Sequence, residues 1–176
     1  MKTTKTVVIT IIIEIVIFVA FIFSGFYNVS ALHPDPGIVQ WVFSTTSDRS
    51  VEHHAKNIKM PNLNDSTMVA HGFDHYNEMC VGCHGAPGVK RGEGGKGLFP
   101  KPPDLTESAK EMPPKELFWI VKNGIKSTGM PAFGKTHSNK KIDYIIAFME
   151  KMKTMSPQQY AQMKKQVGEH HDEDGD

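Results

Sequence analysis

Cys80-Val81-Gly82-Cys83-His84 holds both cysteines of this 176-residue chain, and the chemistry of that pair decides what the rest of the sequence folds around. No disulfide framework is possible beyond this one local pair. A thioredoxin-like redox pair needs a βαβ context, and none surrounds it. Half of a zinc site needs two more N or S ligands at close spacing, and no third cysteine exists to supply one. The third use of this spacing is covalent haem attachment, in which the two thiols form thioethers to the porphyrin vinyl groups and the adjacent imidazole binds iron. On a helix the two sulfurs and the ring come to lie on one side. Two cysteines and nine histidines placed at random would give the pattern roughly once in 1,700 sequences of this length, so chance is a poor explanation.

Outward from the motif, the flanking sequence reads as helix and loop with no strand. A helix is predicted from about Ser66, its N-cap, to Met79. A Gly- and Pro-rich loop spans Gly85 to Pro103, a helix follows from about Pro114 to Asn123, and a second loop carries Gly124 to Gly134. The last strong helix runs from about Asn139 to Lys153, with Ile142, Ile145, Ile146, Met149 and Met152 on one face. Helices separated by such long loops leave a centre that an apolar core alone does not fill. One haem c is expected there, bound through Cys80, Cys83 and His84.

The second axial ligand is sought among ten methionines, most of which are ordinary core fillers. Met130 stands out because it sits in Ser127-Thr128-Gly129-Met130-Pro131-Ala132-Phe133-Gly134, a loop whose glycines and proline let the backbone bend closely round a flat ligand. Its thioether is a soft donor that favours ferrous iron. Met112 and His137 are the alternatives. His75 shares a helix with Cys80 and reaches the far side poorly.

At the other end, Lys2 and Lys5 precede an apolar run from Val7 to Phe23, interrupted by Thr10 and Glu14. Counted to Tyr27, it reaches the roughly 20 residues a membrane-crossing helix needs. Val29-Ser30-Ala31 offers a competing cleavage site, but signal-peptide cores run to only about 7–15 apolar residues. Residues 1–27 are therefore read as a retained single-pass anchor in a cell inner membrane, with everything beyond exported to the periplasmic side. Residues 28–65 form a linker containing an amphipathic helix at 37–57, placed on the membrane, on a partner or on the chain's own haem domain. Residues 66–155 are the haem domain, and 156–176 a polar, acidic tail, disordered from Gly168. Glu14 within the apolar run hints at a neighbouring transmembrane subunit.

From residue 66 to about 153 the chain resembles class I cytochromes c, and specifically the small membrane-anchored bacterial members with one haem. The resemblance implies an all-α domain of that class carried on a single transmembrane helix. It also places a Gly and an aromatic residue eight and four positions before the first haem cysteine, where the first and last helices cross. Gly72 and Tyr76 stand there, and Tyr144 looks like the aromatic partner from the last helix. The family sets a proline carbonyl against the haem-binding imidazole. Pro100, Pro102 and Pro103 crowd that position, with Pro102 taken as the site residue. Trp119 is expected over a haem edge or propionate, with its own helix core as the alternative.

Both iron positions filled by protein favour electron transfer over catalysis. The rival reading is a haem enzyme or gas sensor in which Met130 is displaced. The net charge of +1 conceals an uneven distribution, with 13 Lys or Arg against 7 Asp or Glu between Lys90 and Lys153. That basic stretch suits docking to acidic redox partners, such as a membrane respiratory complex, and nothing in it points to nucleic acid.

Overall fold

A computed structural model describes residues 2–173, with side chains for 3–166. The chain divides into two units, Met1–Pro34 and Asp35–Asp176. The first is essentially one helix, α1 (Lys2–Phe23). Its apolar side chains are all exposed, and at 1.5 Å per residue the 21 residues Thr3–Phe23 span about 32 Å, close to the roughly 30 Å of a bilayer's hydrocarbon. By length and composition it can cross a membrane.

The second unit begins with α2 (Gly37–Ala55), followed by α3 (Ser66–Met79), the single turns α4 (Val81–His84) and α5 (Glu93–Lys96), then α6 (Leu105–Glu111) and α7 (Pro114–Asn123). A 3-10 turn at Phe133–Lys135 leads into α8 (Asn139–Met152) and α9 (Pro157–Glu173). Among the described residues there is no strand, only the isolated bridge between Ala86 and Val89. The N-cap of α3 is Asp65 and not Ser66. Its carboxylate accepts from the backbone N–H of Thr67 at 2.8 Å and of Met68 at 3.0 Å, two of the donors a helix start leaves unpaired.

The core forms where α3 crosses α8. Gly72 permits the crossing, since a Cβ there would sit 1.9 Å from the carbonyl oxygen of Tyr144 and 2.9 Å from Phe148 Cβ. Beside that contact the fully buried rings of Phe73, Tyr76 and Phe148 pack together, the Phe148 centroid 5.3 Å from Phe73 and 5.2 Å from Tyr76. Phe148 is thus the aromatic partner across the crossing. Tyr144 contributes its backbone, and its ring stacks instead on His71 at 5.3 Å.

Two flanking segments depart from expectation. The polar tail expected from residue 156 gives way to α9, whose Tyr160 is 1% exposed, packs against Phe73 at 5.3 Å and donates its hydroxyl to Asn77 Oδ1 at 3.2 Å. The acidic side chains from Gly168, expected to be disordered, lie outside the described residues. Helix α2 is divided along its length and has no continuous apolar stripe. Val51 and Ala55 near its end are buried against the helices that follow, chiefly α7, while Ile38, Trp41, Val42 and Phe43 near its start are exposed.

Candidate haem site

The attachment motif sits where α3 passes into α4. Cys80 closes α3 with its N–H donated to Tyr76 O at 2.9 Å, and opens the next turn by accepting from His84 N at 2.9 Å. Residues at i, i+3 and i+4 share a helix face. Cys80, Cys83 and His84 accordingly line one wall of a single cavity of about 540 Å3, within the roughly 300–1,000 Å3 typical of cofactor sites. The turn is held from behind by Tyr76, whose buried hydroxyl donates to Gly85 O at 2.8 Å.

The facing walls are mostly apolar. Leu98 and Pro102 come from the loop after the motif, Leu117 and Val121 from α7, Met149 from α8 and Val51 from α2. Met130 closes a further side. Its loop is tied by Ile125 N–H to Met130 O at 3.2 Å, by Met130 N–H to Thr128 Oγ1 at 3.1 Å and by Thr128 Oγ1 to Ile125 O at 2.9 Å. Gly124, at φ +66°, lets the backbone double back here, where a Cβ would lie 2.7 Å from Met130 O.

Of the other ligand candidates, Met112 also lines the cavity, whereas His75 and His137 are absent from its wall and pair edge to face at 5.7 Å. The proline facing His84 is Pro103, whose carbonyl oxygen lies 2.9 Å from His84 Nδ1. Pro102, the residue expected there, is buried beside it in the same cavity wall. Trp119 does not line the cavity. At about 100° per residue it lies roughly opposite Leu117 and Val121, which do, and its ring packs on His54 of α2 at 5.6 Å.

Electrostatics separate the chemistries. Burial, reinforced by Cys83, pushes the Cys80 thiol up to about 12, the reverse of the lowered pKa that makes a dithiol a redox nucleophile. Burial likewise holds the His84 imidazole below its usual range against the opposing pull of the Pro103 hydrogen bond, which keeps it neutral, the form that binds metal. No cluster of three His, Cys, Asp or Glu side chains able to hold a metal occurs among the described residues, so a zinc half-site finds no second half there. Arg91 acts on His84 electrostatically, and its buried Nε has no hydrogen-bond partner. An apolar slot with two thiols and a neutral imidazole on one wall, and a guanidinium acting on that imidazole, fits an apolar macrocycle that carries iron and anionic substituents.

Residues 67–149 match the family model described as cytochrome C oxidase, cbb3-type, subunit III. This segment is a cytochrome c domain. No curated protein matches the chain. The match covers slightly under half of the sequence and contains the motif, the Gly72 crossing and the Met130 loop, while α2 and α9 lie outside it. Both nevertheless pack against the matched segment, α2 through Ser47 and Val51 in the cavity wall and α9 through Tyr160 in the core. Packing of the 37–57 helix on its own domain was one of the alternatives read from the sequence, whereas the role of Tyr160 was not foreseen. The apolar alternation that might have signalled both contacts is broken by polar neighbours such as Asp48, Gln159 and Gln162.

Proposed function

We propose that the chain is a membrane-tethered electron-transfer cytochrome, a subunit or partner of a respiratory oxidoreductase complex, with its haem domain on the periplasmic side of an inner membrane. It holds one haem c through thioethers from Cys80 and Cys83, with His84 and Met130 as axial ligands. The observation that carries this reading is the convergence of Cys80, Cys83, His84 and Met130 on the walls of one apolar cavity. Bound there, haem supplies a one-electron ferric/ferrous couple. His84 is oriented through Pro103, the apolar walls exclude water, and exposed Lys90, Lys96, Lys126 and Lys135 favour an acidic docking face.

The test is optical potentiometry on native membranes followed by purification of the complex that contains the protein. A single one-electron wave, a thioether-bound haem that survives denaturation, and copurification with other redox subunits are expected. Stoichiometric carbon monoxide binding to the ferrous form at neutral pH would sink the carrier reading in favour of an open-site haem enzyme or gas sensor.

A further inference from the structure

The first two turns of α2 are apolar round most of their circumference, with Gly37, Gln40 and Ser44 on the remaining side. In Ile38-Val39-Gln40-Trp41-Val42-Phe43 only Gln40 is polar, and Ile38, Trp41, Val42 and Phe43 are 67%, 61%, 46% and 63% exposed. A helix with a broad apolar face and a narrow polar one suits a membrane interface, and here Ile38, Trp41, Val42 and Phe43 are left exposed while Val39 is half-buried. The other half of the same helix is firmly held, with Val51 and Ala55 buried, His54 against Trp119, and Ser47 and Val51 in the haem cavity wall.

We propose that Gly37–Ser44 is a membrane-interface foot that inserts into the headgroup and upper acyl region of the bilayer and fixes the orientation of the haem cavity relative to it. The proposal rests on the reading of α1 as a transmembrane helix. Three observations select lipid as the occupant. Only the 13 residues 24–36 separate α1 from α2, a reach of at most about 45 Å even if fully extended, which keeps the surface from which α1 emerges within reach of the start of α2. Between Glu14 and Asp48 the sole Asp, Glu, Lys or Arg is Asp35, so almost no charge opposes insertion. Tryptophan and phenylalanine on the inserted turns are residues that settle at the lipid–water boundary. Because the helix is one rigid rod from Ile38 to the cavity wall at Val51, seating its start in lipid sets the height and tilt of the haem edge.

The full haem-loaded chain, reconstituted in vesicles of phosphatidylethanolamine and phosphatidylglycerol, tests this. A photoreactive p-benzoylphenylalanine replaces Trp41, Phe43, Glu52 or, within α1, Phe18, one at a time. Lipid adducts at Trp41 and Phe43 are expected at about ten times the yield at Glu52, as for an interfacial helix with one end in lipid, and comparable with Phe18. Adducts at Phe18 but none at Trp41 and Phe43 would overturn the foot while leaving the anchor intact. Crosslinking of Trp41 to a second copy or another protein in place of lipid would also overturn it. Failure at Phe18 would overturn the transmembrane reading itself and the proposal with it.

Discussion

His84 presents its Nδ1 to the carbonyl oxygen of Pro103 at 2.9 Å, and this one contact settles which way the imidazole is protonated. A carbonyl only accepts, so Nδ1 carries the proton and Nε2 is left with its lone pair toward the cavity. In the proposed site the bond would also increase the electron-donating strength of the ring toward a bound iron. Replacing Pro103→Ala frees the backbone and lengthens this bond. Haem attachment should persist, and the reduction potential should rise, because a less basic imidazole stabilises ferric iron less. Loss of a hydrogen bond of about 1 kcal/mol corresponds to roughly 40 mV for one electron. Optical potentiometry of the variant measures it, and a fall in potential would contradict the role given to Pro103.

Met130 and Met112 both line the cavity, so the axial assignment is separable by parallel substitution. Met130→Ala should abolish the low-spin His/Met absorption, including the weak near-infrared band of the ferric form, and lower the potential by more than about 60 mV, a tenfold change in the redox equilibrium. Met112→Ala should leave both unchanged. If the two results were exchanged, the ligand would be Met112.

The crossing of α3 and α8 has no room for a side chain at position 72, where a Cβ would lie 1.9 Å from a backbone oxygen that cannot rotate away. Gly72→Ala therefore has to separate the two helices, and the expected loss is at least about 3 kcal/mol, at the upper end for overpacked cores. Gly82→Ala is the control, since a Cβ there meets nothing within 4 Å. Denaturant unfolding of the haem-loaded proteins should show a large shift for the first and almost none for the second.

What was legible in the sequence is what is local. The Cys80–His84 motif, the period of α8 and the Gly–Pro content of the Met130 loop each lie within a few residues, and each predicted the element or cavity wall it forms. The misplaced details depend on geometry that no short window carries. Choosing Pro103 over Pro102 requires knowing which way an extended strand of backbone faces, and Trp119 was separated from the cavity by the angular step between it and Leu117. Tyr160 lies in a glutamine-rich stretch and becomes a core residue only through Phe73 and Asn77, the latter 83 positions earlier. The N-cap moved by one because Asp65 and Ser66 are both competent caps, and the carboxylate captures two N–H groups.

His75 provides a pH test of packing away from the haem. Burial first, then Lys141 and His137, hold its pKa below 6.5, partly opposed by Glu78 and Asp74. The unfolded chain, with His75 near 6.5, binds its proton more readily than the folded one. Between the folded pKa and about 6.5 the unfolded state carries more protons, so stability rises with pH across that window. Below the folded pKa the full penalty applies, and above about 6.5 it vanishes. Acidifying from pH 7.5 should therefore destabilise the native protein, and His75→Gln, which cannot take up the proton, should lose less stability over the same range. Urea midpoints measured at intervals from pH 7.5 to pH 5 would check this, and parallel curves for the two proteins would show that His75 pays no such penalty.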